Sequence, residues 1–194
     1  MSELCGLKIG YALTGSYCTF EKSFEQAENL VKLGAKLIPI VSENVFSTST
    51  RFGSAEENIK RLEKICGKPL IHTIADAEPI GPKNLTDLMI VSPCTSNTAN
   101  KLALSITDTA VTMAVKSHLR CGKPVLLAVA SNDSLMGSAK TLGMLFNTKN
   151  YYFVPVRQDN IADKPSSLVA DFTLLPKAAE AAMKGIQLRP IICT

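Results

Sequence analysis

The sequence has 194 residues, 46% of them hydrophobic, which is enough to bury the core of one α/β domain spanning residues 1–194. Its net charge of +4 is spread along the chain with no basic block, so nucleic acid is not expected as a partner. No apolar run approaches the roughly 18 residues of a membrane span, and the N-terminus has no charged leader, so we expect a cytoplasmic protein that does not act at a membrane.

Short apolar runs alternate with longer segments of helical period, which predicts βα units and a parallel sheet. The predicted strands are Lys8–Leu13, Lys36–Val41, Leu88–Val91, Pro124–Ala130, Tyr151–Val156 and Leu188–Cys193. The predicted helices are Phe20–Leu33, Ala55–Cys66, Thr98–Leu119, Ser134–Phe146 and Pro176–Lys184, and four of them are followed by a glycine at which a helix can end, namely Gly34, Gly67, Gly122 and Gly185. The prediction is an α/β fold, a single doubly wound, Rossmann-like parallel sheet with helices on both faces. Residues 159–170 are expected to form a loop or arm over the sheet edge.

Small and polar residues follow the first two predicted strands. Gly15 lets the backbone approach a ligand, and Ser16 offers a hydroxyl beside the start of the next helix. Ser42 either gives a second hydroxyl to the same anion or only caps the following helix. The dinucleotide fingerprint G-x-G-x-x-G and the P-loop motif are both absent. We therefore expect a phosphate-sized anion between Gly15–Ser16 and Ser42.

The next two strands end in similar loops. In "SPCTSNT", small residues follow Pro93, and Asn97 or Thr98 is expected to cap a long helix whose positive end faces the crevice. Ser131 and Asn132 repeat the polar pattern after the strand that ends at Ala130. Each loop read singly could be a capped helix without a ligand, but four such strand ends in one chain favour a binding site.

No cysteine or histidine is expected to be a catalytic residue. The six cysteines contain no C-x-x-C pair and have no histidine at metal-ligand spacing, so no metal site is predicted and the thiols are expected to be free. His72 and His118 are the only histidines, and each is expected at the surface or at a cap. No catalytic residue is assigned from the sequence.

The motifs "TGS", "SPCTSNTANKLALSITDTAV" and "KPVLLAVASNDSLMGS", in this order, resemble the FMN-binding, Rossmann-like flavoproteins. These include flavin-dependent cysteine decarboxylases, phosphopantothenoylcysteine decarboxylase and flavin prenyltransferases. The resemblance implies that FMN is the cofactor. It implies that Gly15, Ser16 and Ser42 hold its phosphate and that Pro93, Thr95, Asn97 and Ser131 lie along its remainder. It further implies a homo-oligomer, a trimer or dodecamer, with the flavin site built between subunits.

The chain also departs from that family. The decarboxylases carry a catalytic histidine where counting back from Pro93 reaches Pro79, and the prenyltransferases carry an arginine where this chain has Ala130. The P-x-M-N motif of the decarboxylases keeps only its asparagine, Asn132, which the resemblance assigns to a substrate carboxylate. An independent decarboxylase or transferase is therefore a weaker alternative.

The later stretch "NTKNYYFVPVRQDNIADKPSSLVADF" narrows the resemblance to the smaller subunits of the two-subunit synthase that makes pyridine-2,6-dicarboxylate during sporulation. This implies an oxidoreductase in the mother-cell cytoplasm that works with the synthase's other subunit, the A subunit, which is the expected binder of NADP. A dicarboxylate substrate needs amide or cationic donors, and the candidates are Asn132 and Arg157, unless Arg157 only pairs with Asp159 or Asp163 at the surface. The other alternative is an assembly subunit that has lost flavin.

Overall fold

The computed structural model describes residues 2–193, and its core is a seven-stranded sheet. The strands are β1 (Lys8–Leu13), β2 (Lys36–Val41), β3 (Leu88–Cys94), β4 (Val125–Ser131), β5 (Tyr151–Phe153), β6 (Val156–Arg157) and β7 (Leu168–Ala170). They lie in the order β2-β1-β3-β4-β7-β6, and β5 also pairs with β4. All pairs among β1–β5 are parallel, whereas β7 runs antiparallel to both β4 and β6.

Helices cover both faces of the sheet, so the predicted doubly wound α/β fold is confirmed. They are α1 (Phe20–Lys32), α2 (Glu43–Ser47), α3 (Ala55–Cys66), α4 (Ile74–Ala77), α5 (Ser96–Ala103), α6 (Ala110–Leu119), α7 (Ala139–Phe146) and α8 (Leu175–Met183). Helix α1 packs against α3 and α8, while α6 packs against α4 and α5, and α5 against α7. None of these helices is long and apolar enough to cross a membrane.

Burial on both faces explains why the central strands could be predicted from the sequence. All seven residues of β3 are buried, and β1 and β2 are each buried at every position after the first. A strand covered by helices on both sides reads as an almost continuous apolar run. The four glycines predicted to end helices, Gly34, Gly67, Gly122 and Gly185, all have positive φ, which confirms those helix ends.

The prediction of one long helix over Thr98–Leu119 was wrong. Helix α5 ends at Ala103, Ser105 adopts a left-handed φ of 57°, and α6 begins only at Ala110. Thr109 and Thr112 form a reciprocal capping box at the start of α6. The local hydrogen bonds of these threonines start a new helix and so divide the predicted one.

Two further boundaries were shifted by proline. The predicted strand Tyr151–Val156 divides into β5 and β6 at Val154–Pro155, because Pro155 has no N–H to donate to a neighbouring strand. The predicted strand Leu188–Cys193, which contains Pro190, makes only an isolated bridge between Ile192 and Val156. The expected arm over residues 159–170 ends in strand β7, so its last residues belong to the sheet.

His118 is a buried histidine, contrary to the expectation of a surface or capping residue. It is 1% exposed, its Nε2 lies 2.8 Å from the carbonyl oxygen of Pro124, and its Nδ1 lies 2.7 Å from the hydroxyl of Thr86. A carbonyl only accepts, so Nε2 carries the proton and Nδ1 accepts from Thr86. Burial lowers the pKa of His118 to about 4. The ring is therefore neutral at pH 7 and joins the beginnings of β3 and β4.

This histidine predicts a loss of stability in acid. Between pH 6.5 and 4 the unfolded chain binds a proton at His118 that the folded chain does not, so the free energy of unfolding falls by roughly 3 kcal/mol over that range. Urea unfolding at pH 7 and pH 5 should show a smaller pH difference for His118→Gln than for the wild type. His72→Gln is the matched control, since His72 is partly exposed and stacks on Phe46. Equal pH differences in all three proteins would contradict the assignment.

Candidate functional site

The predicted site residues gather at the carboxyl ends of β1–β4. Strand β1 has β2 on one side and β3 on the other, so the connections diverge at this point and leave a crevice. Two cavities open there. The first, here the β2-side cavity, has a volume of about 380 Å³, and the second, the β4-side cavity, about 710 Å³. They share Gly15, Thr95 and Asn97, and are therefore contiguous.

The floor of the crevice is held by Thr14, which the sequence analysis did not single out. The Thr14 hydroxyl donates to the carbonyl of Pro93 at 2.8 Å and accepts from the backbone N–H of Thr95 at 2.9 Å. The Thr14 backbone N–H also donates to the Pro93 carbonyl, at 3.2 Å. Because Thr14 is 1% exposed, these bonds are shielded from water. They fix the end of β1 to the loop that leads into α5.

The cap of α5 is Thr95, not the predicted Asn97 or Thr98. The Thr95 hydroxyl accepts from the backbone N–H of Thr98, so this side chain is occupied by the helix. Asn97 is therefore the second residue of α5, and it lines both cavities. Its amide makes no hydrogen bond to any residue in 2–193.

Four of the predicted site residues have polar side chains with no hydrogen-bond partner within the described chain. They are Ser16, Ser42, Asn97 and Asn132. Ser42 stands at the N-cap of α2, but its hydroxyl makes no capping bond, so capping alone does not account for this side chain. Ser42 lines the β2-side cavity, while Ser16 and Asn132 line the β4-side cavity. A concave surface with a few convergent polar groups is typical of a ligand site.

Two of the predicted cofactor residues serve the framework of the crevice. Pro93 is buried within β3 and lines neither cavity, although its carbonyl accepts a hydrogen bond from the Thr14 hydroxyl. Ser131 lines the β4-side cavity, but its hydroxyl is bonded to that of Ser96 at 2.7 Å, which joins the end of β4 to the start of α5.

Arg157 lines neither cavity of the crevice, although the cavity that it does line shares Lys22, Asp159 and Val169 with the β4-side cavity. It lines a neighbouring cavity of about 390 Å³ and pairs with Asp171, rather than with Asp159 or Asp163. The antiparallel pairing of β6 with β7 sets Arg157 opposite Val169, which is close to Asp171 in the sequence, and so brings Arg157 close to Asp171 in space. The sequence did not predict this strand pair, and so did not predict the ion pair.

Charged and aromatic side chains at the cavities were also missed. Lys101 is the only cation that lines the β2-side cavity in the described chain, and its ammonium group lies 2.9 and 2.8 Å from the two carboxylate oxygens of Asp108. Lys22 and Lys164 line the β4-side cavity, together with the half-exposed ring of Phe52. These residues come from segments that are distant in sequence, so no local pattern brings them together.

Among the described residues no histidine lines either cavity, and the one thiol that does is that of Cys18, which is exposed in the β4-side cavity. Burial raises the pKa of the Cys94 thiol to about 12, so Cys94 is protonated at neutral pH. Pro79, where the decarboxylases have histidine, lies in the short 3-10 turn Glu78–Ile80 and lines neither cavity. The lining residues are suited to holding a ligand by hydroxyl, amide and ammonium groups.

The parallel sheet, the crevice at its carboxyl edge and the small polar loops agree with one class of protein: the chain belongs to the flavoprotein family, whose model matches residues 2–171. It is 45% identical over 192 residues to the B subunit of dipicolinate synthase from Bacillus subtilis (strain 168), which covers 99% of this chain and 96% of that protein. The crystal structure of the B subunit of dipicolinate synthase from Bacillus halodurans C is similar with a TM-score of 0.91 and 41% identity, covering 100% of this chain and 99% of that one. The FMN-dependent cysteine decarboxylase SpaF shares the fold, with a TM-score of 0.70 and 15% identity over 93% of this chain and 99% of its own. The resemblance inferred from the motifs is thereby confirmed.

The role of Thr14 can be tested with a matched pair of variants. Thr14→Val keeps the shape of the side chain but leaves the Thr95 N–H without its acceptor, and we expect a loss of about 1–3 kcal/mol in the free energy of unfolding. Thr14→Ser keeps the hydroxyl and should lose about 1 kcal/mol or less, through the missing methyl group. Denaturant unfolding measures both. If the valine variant proved as stable as the serine variant, the hydroxyl would not be holding the crevice.

Proposed function

We propose that this chain is the flavin-binding subunit of dipicolinate synthase, an oxidoreductase that converts dihydrodipicolinate to dipicolinate together with its A subunit. The observation that carries the proposal is the set of four polar side chains, Ser16, Ser42, Asn97 and Asn132, that face two contiguous cavities without partners in the described chain. The likeness to a curated B subunit of dipicolinate synthase over the whole chain supports the choice of enzyme.

The residues present fit FMN. The Ser42 hydroxyl and the ammonium group of Lys101 line the β2-side cavity with Gly15, and they suit a phosphate. The β4-side cavity adds Tyr17 and Phe52, aromatic side chains that suit a flat ring. Asn97 lines both cavities and can hydrogen-bond to the part of FMN that joins the phosphate to the ring. When bound, FMN supplies a group able to take or give a hydride equivalent.

In this reaction the protein mainly has to bind and orient the substrate ring. The dihydropyridine ring loses a hydride, which reduces NADP, and a proton, which passes to solvent, and the ring becomes aromatic. This chain has no dinucleotide fingerprint, so we assign the NADP to the A subunit. The Asn132 side chain lies at the end of β4 and can donate its amide N–H groups to one substrate carboxylate.

The assembly belongs to the same proposal. We infer a homo-oligomer, a trimer or dodecamer, that combines with the A subunit in the cytoplasm of the sporulating mother cell. Phe52 is 50% exposed at the mouth of the β4-side cavity with the Arg51 guanidinium 4.9 Å from its ring centre, and a second copy of this chain would cover such an aromatic surface.

Flavin uptake is tested by placing a negative charge at the anion subsite. Ser42→Asp sets a carboxylate against the phosphate expected in the β2-side cavity, and we expect the Kd for FMN to rise about 100-fold or more. Ser47→Asp, at the exposed end of α2 and outside both cavities, is the charge-matched control and should bind normally. Fluorescence titration with FMN and the visible flavin spectrum of the purified protein give the readout. A wild-type protein that takes up no flavin would favour the assembly-subunit alternative.

The substrate contact is tested in the complete enzyme. Asn132→Ala should lower kcat/KM of the two-subunit complex about tenfold or more, which corresponds to roughly 1.4 kcal/mol of transition-state binding. Asn147→Ala removes the same amide from the end of α7 and should leave the kinetics unchanged. Gel filtration first establishes that each variant assembles. Unchanged kinetics for Asn132→Ala would move substrate binding to the A subunit.

A further inference from the structure

Two lysines are the only cationic side chains that line the β4-side cavity in the described chain. Lys22 comes from the first turn of α1, and Lys164 comes from the segment between β6 and β7. Arg157, which the sequence analysis gave as a candidate contact beside Asn132, lines the neighbouring cavity and is paired with Asp171.

Both lysines have their charge available to a ligand. Lys22 is exposed and makes no ion pair within the described chain. The ammonium group of Lys164 lies 3.8 Å from Asp159, which is beyond hydrogen-bond distance. A loosely placed surface pair of this kind contributes little free energy, so exchanging Asp159 for a ligand carboxylate costs little.

Lys164 stands on a segment that is folded and tied to the rest of the site. Its backbone N–H donates to the Asn160 carbonyl at 2.8 Å, and its carbonyl accepts from Ser167 at 3.0 Å. The neighbouring Ser166 carbonyl accepts from the Leu135 N–H at 3.0 Å, which joins this segment to the turn after β4. The position of Lys164 relative to Asn132 is therefore set by backbone hydrogen bonds.

The two acidic residues of the cavity are occupied by internal contacts. The Asp133 carboxylate accepts from the Ser138 hydroxyl at 2.7 Å and from the Gly137 N–H at 3.2 Å. A hydrogen bond from the Ser167 side chain, chiefly, lowers the pKa of Asp159. Neither carboxylate is a close partner of a cavity lysine, so an anionic ligand does not have to displace a strong internal ion pair.

We propose that Lys22 and Lys164 each bind one carboxylate of a planar dicarboxylate in the β4-side cavity, so that the pair selects dicarboxylates over monocarboxylates. The inference rests on the proposed function and assigns its substrate contacts. The two carboxylates stand on the two carbons that flank the ring nitrogen, and two lysines from separate elements can take one each in a charge-assisted contact. Ala130 and Val169 provide apolar contact for the ring between them.

The test compares two probes, pyridine-2,6-dicarboxylate and pyridine-2-carboxylate, by calorimetric titration of the purified protein supplied with FMN. We expect the wild type to prefer the dicarboxylate. Lys22→Met and Lys164→Met should each weaken dicarboxylate binding about tenfold or more, the loss of one charge-assisted contact. The ratio of the two affinities should fall in each variant and the preference should vanish in the double variant.

Two further variants make the comparison specific. Lys140→Met removes an exposed lysine of α7 outside the cavity and should keep the wild-type ratio. Arg157→Met tests whether Arg157, rather than the two lysines, binds the carboxylate. Loss of the dicarboxylate preference in this variant, with no loss in the lysine variants, would overturn the inference. A wild type that binds neither probe would overturn it as well.

Failure of this inference is distinguishable from failure of the proposed function. FMN uptake and turnover with the A subunit are measured on the same proteins. If turnover requires the A subunit but the affinity ratio does not depend on the lysines, the carboxylate contacts lie elsewhere and the function stands. If the ratio depends on both lysines but no flavin is bound and the A subunit has no effect, the dicarboxylate site stands and the proposed function falls.

Discussion

The hydroxyl of Thr14 is the contact on which the crevice depends. It reaches from the end of β1 to both sides of the loop that follows β3, donating to Pro93 and accepting from Thr95. Thr95 in turn caps α5, and the cap determines which way Asn97 faces. Removal of this hydroxyl is costly because the Thr95 N–H would lose its acceptor, whereas the Pro93 carbonyl would keep only its bond from the Thr14 backbone N–H.

The crevice divides its chemistry between its two sides. The β2-side cavity is lined mainly by hydroxyl and amide groups, with Lys101 held by Asp108 across the break between α5 and α6. The β4-side cavity has two lysines without close ion partners, and two aromatic rings. The division follows from the fold, since the end of β2 contributes only the short helix α2, whereas the end of β4 is overlain by the segment that returns as β7.

The sequence predicted the bounds of an element correctly where the element's own residues carry a clear pattern. The bounds of β1, β2 and α3 agree with the sequence prediction because β1 and β2 are buried on both faces and α3 carries its own capping box and terminal glycine. The sequence also indicated that polar loops would meet at one edge of the sheet. It could not give the pairing of Arg157 with Asp171 or the entry of Lys164 into the crevice, since both follow from the antiparallel addition of β7. The break at Ser105 was missed because the apolar period continues through it.

Asn97 is common to both cavities, and a side-chain amide has one oxygen acceptor and one NH2 donor group, which lie in its plane and point in different directions. A ligand in one cavity that bonds to the Asn97 oxygen therefore leaves the NH2 group for the other cavity, and a ligand that bonds to the NH2 group leaves the oxygen. Two ligands that meet across such a residue are thermodynamically linked, and the factor by which the first alters the affinity of the second equals the factor by which the second alters that of the first. On the proposed function, FMN and the dicarboxylate would be two such ligands, coupled through rotation of the Asn97 amide.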